Sequence, residues 1–264
     1  MPLPQADWLG ACRRASHAAR AAVAALESTA ERSIPHGAGE GGDTTLAVDR
    51  AAEDAVLEEL EGFGEPLLAV SEERGELSLN GGSRVRVVID PVDGSMNAKR
   101  GLPFSCVSIA VASGPRMGDV EVGYVAELDP RRDWWAVRGE GAFLDGERLD
   151  RLAPGPLEVL GLETAHPRLV AAASHAIARL EARRLRVLGS VAASMCLVAA
   201  GRLDAMVSLR EVRSVDVAAA QLIVAEAGGA VALPGGDALD LAMRSRVAAA
   251  RDAELLERLS AALL

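Results

Sequence analysis

The segment Asp90-Pro91-Val92-Asp93-Gly94-Ser95 concentrates groups that can do chemistry. Its two carboxylates lie three residues apart. Pro91, between them, fixes a turn and cannot donate a ladder hydrogen bond. Such a turn can aim both carboxylates at one point. Gly94 and Ser95 then open a short helix, and free backbone N–H groups at a helix start suit a phosphate. Read alone, the segment is equally an ordinary Asp-Pro turn with a helix-capping Asp93.

Other acids shift that balance. Glu72 and Glu73 close an apolar run at 67–70, and Asp90 closes another at 85–89. Asp49 follows a glycine-rich stretch, and Asp216 opens the otherwise apolar run Val215-Asp216-Val217-Ala218-Ala219-Ala220. Singly they read as a solvated turn, an exposed helix charge and an N-cap. An unpartnered buried Asp is costly, so Asp216 is either a cap or a ligand. Together they are acids at the ends of elements, without a histidine among them. Hard oxygen donors without imidazole favour magnesium over zinc. Two such ions about 4 Å apart can activate water and hold the leaving oxygen of a phosphoryl transfer.

The elements that position these acids follow from periodicity. Helices are expected at 5–29, 46–61, 167–182, 190–200, 216–227 and 252–263. Residues 67–70 and 85–89 read as buried strands whose C-terminal ends deliver carboxylates, the edge where mixed α/β proteins bind ligands. Residues 105–112, 120–127 and 134–138 read as an antiparallel meander, with a hairpin turn at 139–146. Strands are expected at 157–162, 185–188 and 204–209. Residues 34–45, rich in glycine, read as a mobile loop over the site. Prolines at 154–156 suggest a seam between an N-terminal lobe, 1–153, carrying the metal site and a C-terminal lobe, 154–264, closing it with Asp216.

Composition bounds the rest. The chain has 264 residues, 50% hydrophobic and 25% charged, a globular balance. Its net charge of −10 shows no basic stripe of the kind a nucleic-acid binder carries. An anionic substrate would be repelled by that surface unless cations are bound at the site. Cys12, Cys106 and Cys196 are widely spaced and form no CxxC pair, which suits buried thiols in a reducing cytoplasm. No apolar run reaches membrane-spanning length, and the N-terminus lacks a secretory pattern. His17, His36, His166 and His175 show no metal-pair spacing, and Gly139-Glu140-Gly141 lacks the third glycine of a dinucleotide fingerprint.

From about residue 34 to 250 the chain resembles the inositol monophosphatase superfamily. The signatures are Thr45-Leu46-Ala47-Val48-Asp49, Glu72-Glu73, Asp90 to Asn97, and Val215-Asp216-Val217-Ala218-Ala219 followed by Glu226-Ala227-Gly228-Gly229. The resemblance implies an α/β (α+β) fold, a layered αβαβα sandwich, commonly dimeric and often lithium-inhibited. It implies Glu72, Asp90, the Val92 carbonyl, Asp93 and Asp216 as ligands of two or three magnesium ions. Asp49, Ser95 and Glu72 become the catalytic residues that orient and activate water. Asp93, Gly94 and Ser95 face the phosphate.

Departures exist. Ser95 stands for the usual Thr, Val215 for Trp, Ala98 for Phe, and Glu211 is out of register with the ring-gripping glutamate of animal-type members. Asn97 to Pro103 and Arg213-Ser214-Val215-Asp216 are similar to the archaeal-type branch, which joins inositol monophosphatase to fructose-1,6-bisphosphatase activity. By that analogy Arg213 and Arg186 touch the sugar or its second phosphate; each could equally be a surface ion pair or a cap. The expected substrate is inositol-1-phosphate, fructose-1,6-bisphosphate or both. The alternatives are 3′-phosphoadenosine 5′-phosphate, NADP or histidinol phosphate, or an inactive sugar-phosphate-binding relative. No nucleic acid or membrane partner is expected.

Overall fold

The computed structural model describes every residue except 1, 2, 4, 41–43, 151, 152, 154 and 165. The proline seam and the glycine-rich stretch therefore lie partly outside the described residues. Helix α1 (Trp8–Ala24) starts at Asp7, whose carboxylate accepts from Gly10 N at 2.9 Å. Trp8, Cys12, Ala15, Ala19 and Val23 recur at helical spacing and are buried. The short α2 (Thr29–Arg32) is closed by a capping box between Ser28 and Glu31. Strands β1 (Pro35–Ala38) and β2 (Thr44–Leu46) pair antiparallel ahead of α3 (Ala47–Phe63).

Eight strands then form one sheet: β3 (Leu67–Ser71), β4 (Gly75–Leu79), β5 (Arg86–Asp93), β6 (Cys106–Ala112), β7 (Val120–Glu127), β8 (Asp133–Val137), β9 (Gly141–Leu144) and β10 (Glu147–Arg148). Helix α4 (Ser95–Arg100) interrupts the series after β5. The order is β10-β9-β8-β7-β6-β5-β3-β4, antiparallel except where β3 runs parallel to β5. A second sheet uses β11 (Val159–Glu163), β12 (Arg184–Arg186), β13 (Ala205–Ser208), β14 (Ala230–Ala232) and β15 (Ala248–Ala250), in the order β12-β11-β13-β15-β14. Its helices are α5 (Pro167–Arg179), α6 (Val191–Ala199), α7 (Ser214–Glu226) and α8 (Ala253–Leu263).

Three cores separate five layers, the αβαβα sandwich anticipated. Trp8, Val48, Leu60, Ile89 and Tyr124 join α1 and α3 to one face of the large sheet. Val88, Trp134, Met195, Met206, Leu222 and Ile223 pack α6 and α7 between the two sheets. Leu160, Val207, Ile177 and Leu259 pack α5 and α8 on the outer face of the small sheet. α6 is apolar apart from Ser194 and buried at every position, as suits a helix enclosed on all sides.

Several expected boundaries change. The supposed mobile loop contains the β1–β2 hairpin, held where Thr45 Oγ1 donates to Glu73 and Glu40 N to Glu73 O. β4 was not read because it is an edge strand with few buried positions. β14 and β15 were missed because alanine-rich segments have weak strand preference. β12 begins one residue earlier than expected, at Arg184, ends at Arg186 and is exposed throughout. The strand expected to end at Ile89 continues to Asp93.

α7 crosses the large sheet where β7 has Gly123. A Cβ there would lie 2.5 Å from the Ala219 carbonyl oxygen, and neither backbone can yield cheaply. Gly123→Ala is expected to cost about 1–3 kcal/mol as overpacking, read as a fall in thermal midpoint. An unchanged midpoint would show that α7 does not seat this closely.

Candidate active site

Two parallel strands deliver the first pair of acids. Ser71 lies opposite Ile89 in the β3–β5 register, so the next residues, Glu72 and Asp90, emerge together at one sheet edge. β5 then bulges against β6: Asp90 pairs with Ser108 and Asp93 with Cys106, three steps against two. Pro91 cannot complete the ladder there. In a regular strand residues three apart face opposite sides, and the extra residue of a bulge re-aims the second side chain. Asp93 and Asp90 therefore feel one another's charge.

Helix starts deliver the other two. Asp216 is the third residue of α7, where its Oδ2 accepts from Arg213 N at 2.7 Å in a capping arrangement. Asp49 is the third residue of α3, where its Oδ2 accepts from Leu46 N at 3.0 Å. In each case one oxygen satisfies the helix start and the other is left over. Asp49 Oδ1 is buried with no hydrogen-bond partner. Asp216 thus caps α7 through Oδ2, while its Oδ1 lies 3.7 Å from Arg213.

Glu72, Asp90 and Asp216 bring oxygens within 4.8 Å of one another and could hold a metal ion. The donor set is carboxylate oxygen throughout, the chemistry of a hard divalent cation. Arg213 pairs with Glu72 and lies 3.7 Å from Asp216. Burial raises the Glu72 carboxyl to about 8, with Arg213 opposing and Asp216 adding to the rise. Asp90 is raised well above its ordinary range by burial, then by Glu72, Asp93 and Asp216. Asp93 rises to about 7, by burial and by Asp216. Asp216 is raised by burial against the pull of Arg213.

Asp93 stands outside the closest triad. Its Oδ2 accepts from Ser190 Oγ at 2.7 Å and Ala192 N at 2.6 Å, at the start of α6. Val92 N donates to Asp90 Oδ1 at 3.0 Å, and the Val92 carbonyl accepts from Ser95 Oγ at 2.9 Å. The Asp49 carboxyl is raised to about 6, chiefly by burial. Gly94 caps α4 at φ +86°, and a Cβ there would meet the Phe104 carbonyl at 2.9 Å.

A cleft of about 570 Å³ opens beside these groups, lined by Asp93, Gly94, Ser95, Arg213, Asp216 and Glu211 among others. Arg210, Arg244 and Glu163 line it as well and were not read from the sequence. Arg186 does not line it. It lies on exposed β12, with its guanidinium on the Leu185 carbonyl. Glu73 is drawn to the hairpin through Thr45 rather than into the triad.

Two buried glutamates brace the site. Glu53 Oε1 accepts from Ser71 Oγ at 2.5 Å and Arg74 N at 3.1 Å, gripping both ends of the turn that carries Glu72. Its spacing, one helical turn after Asp49, was the available signal. Glu163 accepts from Leu188 N at 3.2 Å, Gly189 N at 2.9 Å and Ser194 Oγ at 2.6 Å. It ends a strand, and so obeys the same rule that singled out Glu72 and Asp90.

The raised carboxyls fix the sign of a pH effect. A carboxyl whose folded value exceeds its unfolded one stabilises the fold below the unfolded value, and that stability is lost as pH rises through the folded value. For Glu72 and Asp93 the loss runs from their ordinary values of 4.5 and 3.8 up to about 8 and 7. Chelator-treated protein should therefore melt lower as pH rises across this window, and magnesium should raise the midpoint most at its upper end. A magnesium response independent of pH would contradict this electrostatic reading.

Comparisons with known proteins agree with the geometry. Residues 11–264 match the model of the inositol monophosphatase family. The chain is 34% identical to a fructose-1,6-bisphosphatase/inositol-1-monophosphatase of Methanothermobacter thermautotrophicus, covering 96% of this chain and 95% of that protein. It is 32% identical to the protein of the same name from Archaeoglobus fulgidus, covering 95% and 96%. A crystal structure of an inositol monophosphatase–fructose 1,6-bisphosphatase superposes with a TM-score of 0.83 at 26% identity, covering 97% of this chain and 100% of that one. Matched along nearly its whole length, the chain belongs to the inositol monophosphatase family.

Proposed function

We propose that the protein is a magnesium-dependent phosphomonoesterase that hydrolyses a small polyol or sugar phosphate, inositol-1-phosphate, fructose-1,6-bisphosphate or both. The observation that carries the reading is the convergence of Glu72, Asp90 and Asp216 within 4.8 Å beside a cleft that includes Gly94 and Ser95. The names of the archaeal relatives point to the same substrates.

Glu72, Asp90, Asp93, Asp216 and the Val92 carbonyl would hold two or three magnesium ions. Bound there, the ions supply Lewis acidity and neutralise charge on the phosphate and the departing alkoxide. Asp49 and Ser95 orient the attacking water. The free Asp49 Oδ1 can take its proton, and a carboxyl raised to about 6 is a stronger base than an ordinary one. Amides at the start of α4 face the phosphate, and Gly94 lets the backbone approach closely. Arg213, with Arg210 and Arg244, gives the cleft a cationic wall for an anionic substrate. Arg186 has no part in this arrangement.

The chain is further read as a homodimer in the cytoplasm. Exposed Met96 and Val187 at the cleft, exposed Leu185 and the open edge of β12 support self-association. Free, buried Cys12, Cys106 and Cys196 suit a reducing compartment, and no helix among the described residues is long and apolar enough to cross a membrane. Segments 1–153 and 154–264 are read as two lobes, each holding one sheet, with the cleft between them.

Asp93→Asn keeps the shape and the acceptor for Ala192. It should lower turnover by about 10²–10³-fold, the scale of removing a group that stabilises transition-state charge, without lowering the thermal midpoint. Turnover at the wild-type level would refute the role of Asp93. With magnesium present, phosphate release should be fastest from inositol-1-phosphate or fructose-1,6-bisphosphate. Faster release from 3′-phosphoadenosine 5′-phosphate, NADP or histidinol phosphate would overturn the substrate class, and none from any would favour an inactive binding relative.

A further inference from the structure

At the C-terminal end of α4, away from Ser95, a second cavity of about 370 Å³ lies between α1, α4 and the β7–β8 connection. Arg20, Arg32 and Arg131 line it, with Asp129 as the single acid among its lining residues. These are three positive charges at one place in a chain of net −10.

Two of the three guanidiniums, those of Arg32 and Arg131, have no carboxylate partner among the described residues, and Arg20 shares its own. Arg20 reaches Asp133 at 2.6 Å, but its Nε is buried without a partner, and His17 also claims Asp133. Arg32 gives Nε to the Leu26 carbonyl at 2.8 Å and Nη1 to the Ala98 carbonyl at 3.2 Å, both neutral acceptors. No carboxylate lies within ion-pair distance of Arg32 among the described residues. Arg131 is exposed and makes no hydrogen bond or ion pair among the described residues. Counting Asp133, which holds Arg20, and Asp129 in the lining, the three arginines still outnumber the acids and leave the cavity cationic.

We propose that this cavity is a second anion site, distinct from the catalytic cleft, which takes the phosphate group of a small molecule or inorganic phosphate itself. Planar guanidinium forks match phosphate oxygens in pairs through charge-assisted bonds. The volume exceeds that of phosphate alone, so a small phosphorylated metabolite also fits. The site reaches the catalytic centre through Arg32. Its bond to Ala98 restrains the helix that begins at Ser95, so an anion that recruits this guanidinium acts on α4.

The test is calorimetric titration of inorganic phosphate into the magnesium-loaded full chain, wild type against Arg131→Glu and Arg131→Lys. Arg131 is exposed and belongs to neither the acid cluster nor its cleft, so the fold and the catalytic site should survive. Arg131→Glu should weaken one class of phosphate binding by at least about tenfold, the equivalent of about 1.4 kcal/mol, and Arg131→Lys should retain most of it. Superimposable titrations of wild type and Arg131→Glu would overturn the proposal. In turnover assays phosphate should lower kcat and raise apparent KM in wild type, but only raise KM in Arg131→Glu. Identical inhibition patterns would contradict the link through α4. The binding result does not depend on the phosphatase reading: were that reading wrong, the Arg131-sensitive class would remain.

Discussion

Carboxylates held together away from water repel one another, and the rest of this structure is arranged around that cost. At an effective dielectric near 20, two unit charges about 5 Å apart repel by about 3 kcal/mol. The triad of Glu72, Asp90 and Asp216 contains three such pairs. A whole domain is stable by only about 5–15 kcal/mol. Arg213 touches two of the three acids and cannot balance them all. Burial first, and this imbalance after it, pushes the carboxyls towards the neutral form, and a divalent cation is what would relieve it.

Convergence comes from rigid backbone. A parallel strand pair in fixed register supplies Glu72 and Asp90, and a bulge at a proline turns Asp93 to the same side. Two helix starts supply Asp49 and Asp216, each with one oxygen held by the backbone, the other being unpartnered in Asp49 and beside Arg213 in Asp216. Behind them, Glu53 and Glu163 accept backbone and hydroxyl hydrogens that fix the turns on either side of the cleft. The α6 start, anchored on Asp93 through Ser190 and Ala192, ties the small-sheet half of the chain to the acids of the large-sheet half. Asn97 adds a second tie, donating to the Leu188 carbonyl at 2.7 Å. Displacing any of these elements moves a carboxylate.

Much of this was legible in the residue order. Periodic segments announced α1 and α3, an apolar run stopped by Gly228-Gly229 announced α7, and apolar runs ending in acids announced β3 and β5. The acids themselves were legible because a carboxylate at the end of a buried run is hard to explain as surface. What escaped depends on tertiary context. β15 is three alanines that are strand only because β13 and β14 flank them. β4 is an edge whose pattern is half polar. Arg210 and Arg244 lie in irregular stretches that carry no periodic signal, and only folding brings them to the cleft. Arg186 shows the converse: it sits in a suggestive place along the chain, yet its strand lies on the exposed edge of the small sheet.

The most direct test of the central claim is a crystal structure of the protein soaked in manganese, a magnesium substitute that can be located by anomalous scattering. The expected result is density for at least one ion ligated by Glu72, Asp90 and Asp216, with the Arg213 guanidinium withdrawn from Glu72. Manganese absent from this cluster at saturating concentration, or bound only elsewhere on the chain while Arg213 stays on Glu72, would contradict it.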